Sequence, residues 1–234
     1  MSSKKEIILE AKNISKIYYR DDKREIDFQF KALQNINLEI LKNEIVCIFG
    51  SSGAGKSTLL NILSGISSPT DGLVYLDGNI LPYHNDEKMA SIRRKKFGFI
   101  FQFYNLLSEF TVLENVMLPM MLDAKASFAE ICDKSIDLLE RLGLKEKLKN
   151  FPIQLSGGEK QRVAIARALI NDADIIFADE PTGNLDDKNS ENIYEILEKI
   201  WSEQGTTIIM VSHDKRIKFS KYKTIKLEAG KLIQ

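Results

Sequence analysis

An α/β fold built on a parallel sheet is predicted by three observations. The run Ile45-Val46-Cys47-Ile48-Phe49 is apolar at every position, as a strand covered on both faces must be. Ile175-Ile176-Phe177-Ala178 and Ile208-Ile209-Met210-Val211 repeat that pattern. Between these two lie Ile193, Ile196, Leu197 and Ile200, whose i, i+3, i+4, i+7 spacing puts four side chains on one helical face. Strands and helices that alternate in this way return in parallel through right-handed crossovers.

Along the chain, Ile26, Phe28 and Phe30 alternate with Asp27, Gln29 and Lys31, and Ile36, Leu38 and Ile40 with Asn37, Glu39 and Leu41. That period of two predicts an antiparallel sheet region before the first buried strand. The strand at 45–49 runs through a glycine-rich turn into Leu59-Leu60-Asn61-Ile62-Leu63, which reads as a helix. Thr111 to Leu148 forms a second helical block, with Ile131, Leu138 and Leu142 on one stripe and Gly143 as its stop. It is inserted between sheet strands as a helical subdomain over about residues 103–160 of a single domain, 1–234. The helix around Ile193 to Ile200 starts at a cap, Asp186 or Asp187, and is followed by Gly205.

Composition removes several classes. With 234 residues, 44% apolar and 28% charged, the chain is neither disordered, collagenous nor membrane-spanning. Its 33 basic residues balance 33 acidic ones, so no overall field draws it to nucleic acid or to an anionic bilayer, and any anion must be held locally. The stretch Val116 to Leu122 contains Pro119 and falls far short of the roughly 20 residues of a membrane span. Ile7-Ile8-Leu9, cut by Glu10, is too short for a secretory leader, and a cytoplasmic chain is expected. Cys47 and Cys132 lack metal-ligand spacing and read as small buried hydrophobes. Lys215 to Lys226 carries six basic side chains and reads as a solvated face, with contact to acidic headgroups or a partner as the alternative.

Chemistry enters at Gly50-Ser51-Ser52-Gly53-Ala54-Gly55-Lys56-Ser57, which fits G-x-x-x-x-G-K-[ST] between a buried strand and a helix. Such a loop turns successive backbone N–H groups onto phosphates, and the helix N-terminus adds its positive end. Lys56 is placed to neutralise the β- and γ-phosphates and the Ser57 hydroxyl to ligate Mg²⁺. A carboxylate is needed at the end of a neighbouring buried strand, and Asp179 supplies it, while Glu180, pointing elsewhere, is placed to polarise the attacking water. Leu155-Ser156-Gly157-Gly158-Glu159-Lys160-Gln161-Arg162 opens another helix and offers a second phosphate-binding N-terminus. One chain cannot easily aim both ends at the same γ-phosphate.

On these residues the sequence resembles the ATP-binding-cassette (ABC) ATPases over essentially its whole length, with Leu155 to Gln161 matching their defining motif. The resemblance implies a P-loop NTPase cassette with a RecA-like parallel core, an antiparallel β-subdomain and a helical subdomain. It implies two cassettes in a head-to-tail homodimer, in which Ser156, Gly157 and Gly158 of one close on the ATP of the other. ATP contacts are implied for Gly50, Ser51, Ser52, Gly53, Ala54, Gly55, Lys56, Ser57 and Thr58. Gln102, after Phe97-Gly98-Phe99-Ile100-Phe101, matches the glutamine that joins Mg²⁺ and the attacking water to the transporter interface, so Ser57, Gln102 and Asp179 (through water) form the implied metal set. Asn184-Leu185-Asp186 matches the loop that crosses the dimer, and His213 matches the switch histidine at the γ-phosphate. Glu180, His213 and Lys56 are thus the implied catalytic groups. Tyr18 matches the aromatic that stacks on adenine, with Tyr19 beside it as the other register.

Phe101-Gln102-Phe103-Tyr104-Asn105-Leu106-Leu107, Thr111-Val112-Leu113-Glu114-Asn115-Val116 and Ala178-Asp179-Glu180-Pro181-Thr182-Gly183 are similar to the branch that holds lipoprotein-releasing (LolD-like) ATPases, MacB-like macrolide and peptide exporters and FtsE-like cell-division ATPases. The lipoprotein-releasing subunits fit best, with macrolide or antimicrobial-peptide export and regulation of cell-wall hydrolases as alternatives. Phe103 to Leu107 is expected to form a groove for a partner's coupling helix. Glu159 departs from the glutamine common in the family, and the stretch Asp21 to Phe30 exceeds a minimal hairpin. Membrane permease subunits are expected as separate polypeptides, which places the cassette peripherally on the cytoplasmic face of an inner membrane.

Overall fold

The computed structural model describes residues 6–20, 28–122, 126–213 and 217–233. Strands β1 (Ile7–Arg20), β2 (Phe28–Leu41) and β3 (Ile45–Phe49) precede helix α1 (Lys56–Leu63). Then follow β4 (Asp71–Leu76), β5 (Asn79–Ile80), α2 (Asp86–Lys96), β6 (Phe97–Ile100), α3 (Val112–Met121), α4 (Phe128–Arg141) and α5 (Gly157–Leu169). The chain closes with β7 (Ile175–Asp179), α6 (Asp187–Gln204), β8 (Thr207–Ser212), β9 (Lys223–Glu228) and β10 (Lys231–Ile233).

A six-stranded sheet runs β10-β9-β3-β8-β7-β6, parallel from β9 to β6, with β10 added antiparallel at the edge. Its all-apolar strands feed two cores by alternation. Val46, Ile48, Ile175, Phe177, Ile209 and Val211 pack with α1 and the antiparallel sheet. Ile45, Cys47, Ile176, Ala178, Ile208 and Met210 pack with α3, α4, α5 and α6 on the other face. A strand covered on both sides tolerates no polar position, which is why these runs are continuous. Burial also pushes the Cys47 thiol up to about 12.

The antiparallel sheet, β2-β1-β4-β5, sits where the period of two predicts it. The described residues of the two alternating segments, Phe28 to Lys31 and Ile36 to Leu41, belong to one strand, β2, whose pairing with β1 slips between Ile14/Ile36 and Lys16/Leu33. Asn35, with φ of 50°, lies in that irregularity. Ile26 and Asp27, the rest of the stretch from Asp21, and Asp214, Lys215 and Arg216 lie outside the described residues. Of the remaining basic run, Lys218 pairs with Glu191, Lys226 with Glu228, and Lys223 donates to Glu39 O.

The helical block from Thr111 to Leu148 consists of two α-helices, α3 and α4, and a short turn of 3-10 helix, Lys145–Lys147. α3 contains Pro119 near its end, and α4 begins afresh at Ser127, whose hydroxyl and Glu130 form a reciprocal capping box. Thr111 with Glu114 caps α3 in the same way. Of the two candidate caps of α6, Asp186 does the work, accepting from Asn189 N at 2.8 Å, and Gly205 at φ 68° ends the helix.

Candidate active site

The glycine-rich loop leaves β3 between close neighbours. A Cβ at Gly50 would lie 2.3 Å from Leu227 O, so the loop passes against β9 at a distance only glycine allows. Gly55 has φ of 100° and abuts Ala32 O, turning the chain into α1. No side chain caps α1, whereas Asn85, Thr111, Ser127, Ser156 and Asp186 each cap a later α-helix. A first turn left without a side-chain acceptor suits an anion. Lys56, buried, donates to Gly50 O at 2.9 Å and Ser51 O at 3.0 Å, curled over the loop it would otherwise extend from.

Above the loop lies a cleft of 580 Å³. Ser52, Gly53, Gly55, Lys56, Ser57 and Thr58 line one side, Phe30 and Ala32 of β2 a second, and Glu180 and His213 a third. It opens at the C-terminal ends of β3, β7 and β8, where open α/β sheets bind ligands. Ser57 Oγ donates to Asp179 Oδ1 at 3.2 Å. Burial raises the Asp179 pKa above the ordinary 3.8, opposed by the Ser57 hydrogen bond, supported by the Glu180 charge and opposed again by Lys56. A desolvated carboxyl beside a serine hydroxyl is a hard oxygen pair that fits Mg²⁺.

Glu180 adopts φ of 45°, and its N–H donates to Val211 O at 3.0 Å. That left-handed residue separates its side chain from that of Asp179, and its Oε2 lies 2.9 Å from His213 Nδ1. Gln102 arrives from the other side. A Cβ at Gly183 would meet Gln102 Nε2 at 3.2 Å and Glu180 Oε2 at 3.3 Å, so both side chains converge on that glycine. Asn184 Nδ2 donates to Gln102 O at 2.8 Å. Gln102 and Glu180 thus face the same glycine, and Gln102 is not among the residues that line the cleft.

Ser156, Gly157 and Gly158 lie outside the cleft of their own chain. Ser156 is exposed and caps α5, accepting from Glu159 N at 3.3 Å, while Glu159 Oε2 accepts from Ser156 N at 2.8 Å. Lys147 Nζ lies 3.4 Å from Glu159. Gly157 packs on Leu185 and the Tyr104 hydroxyl, and Gly158 on Asn189, so the Asn184-Leu185-Asp186 turn joins α5 to α6.

The aromatic at the cleft is one the period-two pattern had merely counted as a strand residue, Phe30. Tyr18 pairs directly with Phe30 across β1 and β2 and so shares its face, with Lys16 Nζ 5.3 Å from its ring centroid. Tyr19 points to the opposite face.

A second, apolar groove of 380 Å³ lies between the sheet and the helical block. Phe99, Phe101, Leu118, Pro119 and Leu122 line it with Arg93, Arg94 and Arg167, and among the described residues none that lines it is acidic. Of the segment Phe103 to Leu107, only Asn105 lines it; Phe103 is 71% exposed and Leu106 packs on the helical core.

Residues 33–183 match the family described as ABC transporter. The chain belongs to that family. An uncharacterized ABC transporter ATP-binding protein of Methanocaldococcus jannaschii is 47% identical over 233 residues, 97% of this chain and 98% of that protein. The lipoprotein-releasing system ATP-binding protein LolD of Aquifex aeolicus is 43% identical over 226 residues, 97% of this chain and 96% of that protein. Among solved structures, the ATP-binding cassette MJ0796, described as a dimer in a post-hydrolysis state bound to ADP and Pi, superposes with a TM-score of 0.86 at 38% identity, over 97% of both chains. This ABC cassette is an ATP-binding subunit that hydrolyses ATP to ADP and phosphate, on an α/β P-loop fold.

Proposed function

We propose that this ABC ATPase acts as a homodimer that closes around two Mg·ATP and drives separate integral-membrane permease subunits at the cytoplasmic face of an inner membrane. The observation that carries the dimer is the separation of two phosphate-binding helix ends. Lys56 and the uncapped α1 sit inside the cleft, while the exposed Ser156 end of α5 points out of it. A second copy supplies that end to the open side of the phosphate.

In this reading the α1 N-terminus and Lys56 hold the β- and γ-phosphates, and Ser156, Gly157 and Gly158 of the second copy complete the cage. Ser57, Asp179 and Gln102 would hold Mg²⁺, which when bound neutralises charge on the transferred phosphoryl group. Glu180, oriented by His213, positions the attacking water and accepts its proton, and catalysis otherwise comes from positioning and charge stabilisation. Phe30, with Tyr18 on the same face, offers the adenine a ring to stack on. ATP favours the closed dimer and its hydrolysis opens it, so the membrane subunits move by differential affinity for the two states.

The arginine-rimmed groove suits an apolar partner segment that carries a carboxylate. No helix among the described residues is long and apolar enough to cross a membrane, in keeping with partners that supply the spans. Identity of 43% to a LolD supports lipoprotein as the cargo. The test is ATP-dependent release of a lipoprotein from proteoliposomes holding the cassette with its co-purified membrane subunits. Release that stops with the Glu180→Gln variant is expected. ATP turnover in the complex without release refutes the cargo and leaves the ATPase standing.

A further inference from the structure

Behind Gln102 the backbone takes an uncommon path. Tyr104 and Asn105 have φ of 62° and 47°, two consecutive non-glycine residues in the left-handed region. Such a conformation persists where neighbours over-determine it. Here the neighbour is Arg167, in the last turns of α5. Its Nη2 donates to Tyr104 O at 2.7 Å and its Nη1 to Asn105 O at 2.5 Å. A planar guanidinium spans two carbonyls at once, whereas an ammonium is a single point of attachment. Burial lowers the Arg167 pKa from its ordinary value, and among the described residues no carboxylate forms an ion pair with it. A half-buried cation whose partners are two carbonyls has been placed for the loop rather than for an ion pair.

The loop it holds is tied to the active site at its other end. Asn184 Nδ2 holds Gln102 O, and the Gln102 amide converges with Glu180 on Gly183. The Tyr104 hydroxyl packs on Gly157, so the same segment touches the start of α5 while Arg167 grips it from near the end. Arg167 also lines the apolar groove, and it is thus shared between that surface and the loop.

We propose that Arg167 is a positioning residue for hydrolysis: its clamp on the Tyr104 and Asn105 carbonyls holds Gln102 at Glu180. The inference rests on the reading of Gln102 and Glu180 given above. Arg167→Gln and Arg167→Lys, in the full chain, are compared with the unmodified protein in phosphate release against ATP and Mg²⁺, nucleotide affinity by calorimetry, and backbone hydrogen exchange. The expected result is ATP affinity within about twofold and kcat lower by about tenfold to a hundredfold, the scale of an ångström-sized misplacement. More Mg²⁺ is needed for half-maximal rate, and exchange quickens selectively over residues 101–107. Arg167→Lys falls between the two. A folded variant with unchanged kcat and Mg²⁺ dependence overturns the proposal. So does a variant that loses thermal stability while its Mg²⁺ dependence stays put, because that is packing alone. If Arg167→Gln does not fold, Arg167→Lys, which keeps charge and stem, carries the same comparison. An unmodified protein that shows no Mg²⁺-dependent turnover refutes the reading of the site instead of the clamp.

Discussion

Glu180→Gln replaces one carboxylate oxygen by an amide nitrogen and leaves the volume unchanged. The side chain is 19% exposed and its Oε2 sits 2.9 Å from His213 Nδ1, a contact that the amide oxygen can still accept, so the fold and the loop at φ 45° are retained. Two properties are lost: the capacity to take a proton from water, and a negative charge beside Asp179. A positioned general base contributes about 10²- to 10⁴-fold. At 1.36 kcal/mol per decade that is about 2.7–5.4 kcal/mol of transition-state stabilisation. Lost charge works the other way for binding, since the phosphates then meet one carboxylate fewer. Phosphate release should therefore fall by two to four decades, to the order of magnitude given above, while ATP affinity holds or tightens. Light scattering with Mg·ATP should report a species of about twice 26.6 kDa, because the closed dimer no longer reopens. A folded variant that turns over within about threefold of the unmodified protein and stays monomeric would refute the role of Glu180 and the dimer with it.

Other expectations follow from single contacts. Asp179→Asn removes a carboxyl whose pKa burial has raised above 3.8; the folded protein then no longer bears the cost of ionising it. Because the folded pKa is the higher one, that gain is absent below 3.8 and grows as pH rises through the raised value, so the melting-temperature difference between variant and unmodified protein should widen toward neutrality, while turnover is lost. A constant difference across acid pH contradicts this. Buried Asn115 accepts from Leu107 N and donates to the carbonyls of Leu107, Phe110 and Thr111, pinning the turn into α3. Asn115→Leu should cost about 2–4 kcal/mol in urea unfolding, and a loss below about 0.5 would show that the turn holds itself. Gln161 is fully buried in α5 with neither amide atom hydrogen-bonded, so Gln161→Leu should stabilise the isolated chain by about 1 kcal/mol, a rise of about 2–4 °C. A fall would mean that ordered water pairs the amide. Phe30→Ala should weaken nucleotide binding more than Tyr18→Ala does, measured by calorimetry with ATP, and the reverse order would return the stacking role to Tyr18.

What the sequence reveals depends on how local the cause is. Ile45 to Phe49 and Ile208 to Val211 read correctly because a strand with two covered faces leaves no position free to be polar. The loop from Gly50 to Ser57 reads correctly because its shape is set by its own glycines. α2 has no such signal: Met89 is its only buried residue, and only the Asn85 cap, the acids Asp86 and Glu87 and a basic last turn announce it. The stripe of Ile131, Leu138 and Leu142 marks α4 alone, and the break before it is set by Pro119 and the Ser127 capping box. Phe30 comes to the cleft through pairing with Tyr18, and Arg167 to the Tyr104 carbonyl across a sequence separation of 63. An arginine on a helix gives no sign of such a partner.

A structure of the Glu180→Gln protein with Mg·ATP decides whether two copies share each nucleotide. Lys56 Nζ of one copy and Ser156 Oγ of the second are expected within hydrogen-bonding distance of the same γ-phosphate, with Gly157 and Gly158 against it. Nucleotide held by Lys56 in a cleft that no second copy closes, with Ser156 still facing solvent, would contradict the account.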